Sequence, residues 1–330
     1  MVRLGVVGAG YWGPNLIRNF ARIEDVKIEQ IADSNKDALA KLQDTYADTV
    51  FTQNPEELFA SNVDAVCIAT NAETHFQLSK QALLAGKHTF CEKPMTLKTS
   101  EAEELVEIAR EKGLVLMVGH VMVYHPAIRR IKGILDSGEI GDLLYINSIR
   151  VNLGLARAYE NVLWSLTPHD LSIFLYLFEG EHPVGVSATG KDFLTPGVED
   201  IVFLSLFFNQ ENLAHVRASW LDPVKTRKLI VVGTKGIIVF NDTGADSVIK
   251  IYDKWIKPKG DGTFEHNRND EFKVYDIPKD EPLFLECQDF IKSIVNGKRP
   301  ITDGESGATV ISILEHAQES MKQKGTYLAL

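Results

Sequence analysis

GVVGAGYWGP, residues 5–14, places Gly8, Gly10 and Gly13 behind an apolar run and interrupts them with Tyr11 and Trp12. The spacing is G-x-G-x-x-G, which arises by chance unless a strand precedes it and a helix follows. Here VRLGVVGA reads as a strand, and the segment from about Trp12 to Arg22 reads as a helix. Asp33 stands 20 residues beyond Gly13, at the end of the next strand, VKIEQIAD. That context makes the stretch a dinucleotide-binding loop. Gly8 permits the sharp turn, Gly10 lets a pyrophosphate approach the backbone, and Gly13 lets the helix pack closely on the strand. Backbone N–H groups and the positive end of the helix dipole then hold the anion. Asp33 is expected to accept from the adenosine ribose hydroxyls, and Ser34 and Asn35 bring no arginine for a 2'-phosphate, so NAD is expected over NADP. Tyr11 and Trp12 are candidates to contact the cofactor, Trp12 packing over it or under the loop; a plain core role is an equal alternative for Trp12.

Composition agrees with such a protein. The chain has 330 residues, 45% hydrophobic and 24% charged, with a formal net charge of -10. Its length favours two domains. An acidic balance argues against nucleic acid or an anionic membrane as partner, since those surfaces select for lysine and arginine. Cys67, Cys91 and Cys287 are odd in number and lack metal spacing, which reads as reduced thiols. No run approaches a bilayer span and no leader-like segment opens the chain, so a soluble, cytoplasmic protein is expected.

Through residue 122, short β-rich runs alternate with helix-length segments, the pattern of a doubly wound parallel sheet. The fold class expected is α/β: a Rossmann domain over residues 1–122, then an α+β domain over 123–330 with a large, mostly antiparallel sheet. The last helix is allowed to return to the first domain. Ser100 and Glu103 read as a capping box. In the helix after Pro126, Ile128, Ile131 and Leu135 read as the apolar face. IVVGTKGIIVF reads as a hairpin, and the polar stretch from about Lys257 to Asp270 as a long exposed loop.

Longer stretches carry a resemblance. DAVCIATNAETHFQLSKQALLAGKHTFCEKP (64–94), GHVMVYHPAIRRIKGILDSGEIGDLLYI (119–146) and LWSLTPHDLSIFLYL (163–177) resemble the glucose-fructose oxidoreductase / inositol dehydrogenase / MocA family nearly end to end. CEKP after AGKH is the most specific mark. GYWGPN, NLGLAR and SWLDPVKTRKLIVVGTKG are similar to the sugar-nucleotide branch, which oxidises or reduces C3 of a nucleotide-linked sugar. The resemblance implies that Lys93 and His169 act at the nicotinamide end.

The chemistry explains those residue types. Moving a hydride from a secondary alcohol requires the hydroxyl proton to leave and the oxyanion to be stabilised. Lys93 suits stabilisation of the alkoxide, and His169, with an ordinary pKa of about 6.5, suits acceptance of the proton. Glu92 is expected to orient Lys93 or to touch the nicotinamide ribose. Thr70, Asn71 and His75, at the end of a strand, are candidates to line the cofactor, with a helix-start role as the alternative for His75. Tyr124, His120 and His125 are candidates by location, and no metal site is expected. Where the branch carries an acid four residues before the histidine, this chain has Ser165, which can still bond a sugar hydroxyl. Arg157, Lys225 and Arg227 are the candidates for a substrate diphosphate. The apolar run IVFLSLFF points to a homo-oligomer, dimer or tetramer, through open sheet faces.

Three readings follow: an NAD-dependent nucleotide-sugar dehydrogenase, a dehydrogenase of a free sugar or inositol, and a non-catalytic NAD-binding sensor or scaffold.

Overall fold

The computed structural model describes residues 1–154, 157, 160–179, 181–209, 212–243 and 248–330. It divides into two units, Met1–Tyr124 with Asp280–Ser312, and His125–Lys279 with Ile313–Leu330.

The first unit contains β1 (Val2–Val7), α1 (Gly13–Ala21), β2 (Val26–Ala32), α2 (Lys36–Gln43), β3 (Val50–Thr52), α3 (Pro55–Ala60), β4 (Ala65–Ile68), α4 (Ala72–Leu84), β5 (His88–Glu92), α5 (Thr99–Lys112) and β6 (Leu116–Gly119). Its six strands form one parallel sheet in the order β3-β2-β1-β4-β5-β6. All four residues of β4 and of β6 are buried, which is why these runs are continuously apolar instead of alternating. The strand order reverses beside β1, so the carboxyl ends of β1 and β4 open the crevice where such sheets bind ligands.

The second unit begins with α6 (Pro126–Asp136), β7 (Leu143–Leu153), α7 (Val162–Leu177), β8 (Pro183–Lys191), β9 (Ile201–Phe208) and β10 (Leu213–Ser219). It continues with β11 (Leu221–Gly233), β12 (Ile237–Asn241), β13 (Val248–Pro258) and β14 (Phe264–Tyr275). The chain then forms α8 (Pro282–Asn296) in the first unit, α9 (Gly304–Lys322), along which the division between units falls, and β15 (Leu328–Ala329) in the second. Nine strands run in the order β14-β13-β12-β11-β7-β10-β9-β8-β15. The pairs are antiparallel except β7 with β10. Burial alternates: Val202, Leu204 and Leu206 of β9 and Ala214, Val216 and Ala218 of β10 are fully buried, while Phe203 stays 41% exposed.

Three local expectations are corrected. The stretch Lys257 to Asp270 is the end of β13 and the start of β14, joined by a short turn. This edge hairpin is mostly exposed, so it shows no apolar alternation for a sequence pattern to register. β3 and β8 also escape a pattern reading. Helix α5 starts at Thr99, and Lys98, at its cap position, makes no side-chain cap bond, so Ser100 and Glu103 form no capping box. In α6 the buried face carries Ile134 in place of Leu135.

Candidate active site

The glycine loop leaves β1 and enters α1. Gly8 has φ +103°, and a Cβ there would lie 2.5 Å from the Ala69 carbonyl oxygen; a Cβ on Gly13 would collide with the Gly8 carbonyl oxygen. Nothing lies within 4 Å of where a Gly10 side chain would begin. Gly8 and Gly13 close the turn and the helix start, while Gly10 leaves the open face that a diphosphate needs. Asp33 arrives at the carboxyl end of β2. Its Oδ2 accepts from the Ala9 N–H at 2.6 Å and its Oδ1 from the Asn35 N–H at 2.7 Å. The carboxylate is therefore held by backbone on both sides and presented beside the loop. Ser34 is exposed, its carbonyl accepting from Gln53 at 2.9 Å. These residues fit a dinucleotide.

Tyr11 is 96% exposed and packs on nothing in the loop. Trp12 precedes α1, and its indole N–H donates to Glu92 Oε1 at 2.7 Å. Glu92 ends β5, and its Oε2 accepts from the Lys93 backbone N–H at 3.1 Å. Trp12 thus ties the glycine loop to the E-K-P turn. Enclosure raises the Glu92 pKa, against the hydrogen bonds from Trp12 and Lys93 and the nearby charges of Lys93 and His75. Lys93 is half-buried in the turn after β5.

At the end of β4, Thr70 Oγ1 and Thr74 Oγ1 lie 2.7 Å apart and Asn71 is exposed at the cap of α4. His75, by contrast, is buried with its ring nitrogens against the Pro94 and Thr70 carbonyl oxygens, so it does not line a ligand surface. Tyr124 also departs from expectation. It is buried, and its hydroxyl donates to Asp289 Oδ2 at 2.7 Å and lies 3.3 Å from Thr302 Oγ1. That hydroxyl serves the interior of the first unit. His120 is buried, and burial followed by the charge of Lys93 pushes its pKa down to about 3, so it stays neutral.

Two models match the chain: one described as an oxidoreductase family with NAD-binding Rossmann fold, over residues 2–120, and the GFO/IDH/MocA C-terminal domain, over residues 128–239. The chain belongs to the GFO/IDH/MocA family. It is 27% identical over 314 residues to the UDP-N-acetylglucosamine 3-dehydrogenase of Acidithiobacillus ferrooxidans, covering 94% of each chain. A solved structure of the Acidithiobacillus ferrooxidans enzyme superposes with a TM-score of 0.83 at 26% identity, over 98% of each chain. The myo-inositol 2-dehydrogenase of Thermotoga maritima is 25% identical over 336 residues, 98% of this chain and 97% of that one. Like its GFO/IDH/MocA relatives, the chain is an NAD-binding oxidoreductase acting on CH–OH groups. The smaller site residues must be read against that chemistry.

In the second unit, Ser165 and His169 lie one turn apart on α7 and share a face. Both are half-buried, and the His169 carbonyl accepts from Ser172 Oγ at 3.0 Å. Next to His169, Asp170 turns the other way, into the sheet. Arg150 Nε donates to its Oδ2 at 2.6 Å and Ser148 Oγ to its Oδ1 at 2.6 Å, all three groups buried. Sequence reading missed this anchor because the partners lie 20 and 22 residues away on β7. Arg157 is exposed and paired with Glu160, Arg227 stands 3.8 Å from Asp242, and Lys225 is exposed on β11. Leu155 and Ala156, beside Arg157 in NLGLAR, lie outside the described residues. His125 caps α6, its Nδ1 accepting from the Ala127 N–H at 3.1 Å.

Glu286 on α8 was also missed. It is wholly buried, and burial, then the charges of Glu92 and Asp289, raises its pKa well above the usual carboxylate range. The three cysteines are buried and free. Among the described residues there is no His/Cys/Asp/Glu group suited to a metal, and no helix is long and apolar enough to cross a membrane.

Proposed function

We propose that the protein is an NAD-dependent dehydrogenase that oxidises a secondary hydroxyl, at C3, of a nucleotide-linked sugar, or runs that reaction in reverse, in the synthesis of surface-glycan precursors. The observation that carries the cofactor choice is the Asp33 carboxylate, fixed by the Ala9 and Asn35 N–H groups beside the loop, where the neighbours Ser34 and Asn35 bring no arginine for a 2'-phosphate. Bound NAD supplies the hydride acceptor. Lys93, following a strand's carboxyl end and flanked by the Glu92 carboxyl, stabilises the oxygen of the reacting hydroxyl as its proton leaves. His169 accepts that proton, and Ser165 bonds a neighbouring sugar hydroxyl. Trp12 holds the glycine loop and the lysine turn in one register through Glu92.

The nucleotide sugar is favoured by the full-length similarity to the UDP-N-acetylglucosamine enzyme, with Arg157 as the candidate diphosphate ligand. The second reading, a free polyol substrate, draws on the inositol enzyme of comparable coverage and on Ser165, a neutral residue. Incubation with NAD and a panel of UDP- and dTDP-sugars beside free polyols, following absorbance and product mass, decides between them. Oxidation of a nucleotide sugar alone carries the first reading, oxidation of a polyol alone the second. NAD binding without turnover of any panel member leaves a sensor or scaffold.

The apolar side chains on the open face of the large sheet, Phe203, Phe207 and Ile230 among them, are proposed to pair with a second copy in a homo-oligomer. Light scattering on the eluted protein tests this. A cytoplasmic location, where a free NAD pool is at hand, belongs to the same proposal.

A further inference from the structure

One buried group at the strand ends is not used by that chemistry. His75 sits in the first turn of α4 and is 1% exposed. Its Nδ1 is 2.8 Å from the carbonyl oxygen of Pro94 and its Nε2 is 3.1 Å from the carbonyl oxygen of Thr70. A carbonyl oxygen can only accept, and a neutral imidazole has a single N–H to donate. In a neutral ring, one of these contacts would oppose two lone pairs; with both nitrogens protonated, each is a hydrogen bond. Thr70 belongs to the turn after β4 and Pro94 to the turn after β5, and these two strands are neighbours in the parallel sheet.

We infer that His75 is a buried imidazolium that clasps the turn after β4 to the turn after β5, a positioning residue that holds Lys93 in place. Its effect on turnover rests on the role proposed for Lys93. A buried cation requires compensation. Among the described residues, the titratable groups facing His75 are Cys91 and Glu92, both of β5. The Glu92 carboxyl, held by the N–H groups of Trp12 and Lys93, is the acid whose ionisation the nearby His75 charge favours against its enclosure. Burial alone would lower the affinity of His75 for its proton. The adjacent Cys91 sulfur and the carbonyls of Pro94 and Thr70 outweigh it, pushing the pKa up to about 9.

The test uses the full chain with 15N-labelled histidine. Long-range 1H–15N spectra report whether each ring nitrogen carries a proton, and His75→Gln identifies the signal. At about pH 8, above the ordinary histidine pKa of about 6.5, His75 is expected to show two protonated nitrogens. A neutral tautomer there overturns the clasp. His75→Gln keeps one donor and His75→Ala keeps none. Both are expected to lower kcat, the alanine by roughly tenfold or more, with the Kd for NAD changed by less than about threefold. An imidazolium whose replacement leaves kcat unchanged overturns the positioning role. Should the wild-type protein turn over no panel member, the proposed function fails separately. The clasp is then read from hydrogen exchange in His75→Gln, where residues 70–75 and 92–95 are expected to open together; unchanged exchange overturns it. If neither variant folds, the His75 ring signal is assigned in the wild-type protein by through-bond correlation to its backbone amide, and its spectra still decide the protonation state.

Discussion

The two sheets hold their buried charge differently. At the carboxyl ends of the parallel strands, Asp33 accepts from two backbone N–H groups, Glu92 from one backbone N–H and an indole, and His75 meets two backbone carbonyls. Under the antiparallel sheet, Asp170 is satisfied by side chains, Arg150 and Ser148. Further out in that unit, exposed Arg157 and half-buried Arg227 pair with Glu160 and Asp242. On the proposed function, the diphosphate of the cofactor is met by backbone, which every sequence of the fold possesses, and the sugar by side chains, which a single substitution replaces. Ser165, standing where the resembled branch carries an acid, is such a substitution.

That contrast is broken most directly at Lys93, a side chain in the backbone-built region. Lys93→Ala is expected to lower kcat on the order of a thousandfold, because an unshielded oxyanion loses its charge partner, while NAD still binds. Steady-state rates beside calorimetric NAD titration check this; retained turnover removes Lys93 from the chemistry. Next in size is Asp33→Ala. Loss of a charged acceptor is expected to weaken NAD roughly 10- to 100-fold and NADP far less. Equal weakening of both cofactors would show that Asp33 serves only the loop's own N–H groups.

These differences also set what the sequence made legible. Gly8, Gly10, Gly13 and Asp33 were readable because the loop's geometry demands particular residues at fixed spacing, and Lys93 because a short motif surrounds it. His75 appeared as a strand-end residue, but its partners are carbonyl oxygens, which leave no trace in residue identity. Tyr124 looked like a substrate contact by position; only the packing of α8, with Asp289, turned its hydroxyl inward. Glu286 sits in an apolar helix as any surface acid might, and its burial depends on what covers it. The outer part of the β13 and β14 hairpin, Lys257 to Asp270, reads as loop because mostly exposed strands need no apolar alternation.

The side-chain anchor of the second unit sharpens the comparison through stability. Arg150→Ala leaves the Asp170 carboxylate buried with the Ser148 hydroxyl as its remaining partner, and is expected to cost about 3 kcal/mol in denaturant unfolding. Adding Asp170→Leu is expected to return part of that loss, since removing both charges ends the desolvation penalty. A double variant no more stable than the single one would mean that the pair, not its unpaired remnant, carries the energy.

The smallest effects are read from pH. His75 has a folded pKa raised to about 9, so its contribution is complete below about 6.5 and is lost as pH rises through 9. Glu281 has the opposite sign. Hydrogen bonds from Arg18, Asn19 and Arg22 hold its pKa near 2, so its contribution is present above about 4.5 and is lost as pH falls through 2. Its side chain is 34% exposed, and solvent screening limits the gain to under about 1 kcal/mol. Glu281→Gln should therefore lower the melting temperature slightly at neutral pH, and the difference should vanish near pH 2. His75→Gln should do so more strongly at neutral pH, with its difference vanishing above about pH 9. Melting curves across that range separate the two, because a backbone-held cation and a side-chain-held carboxylate fail at opposite ends.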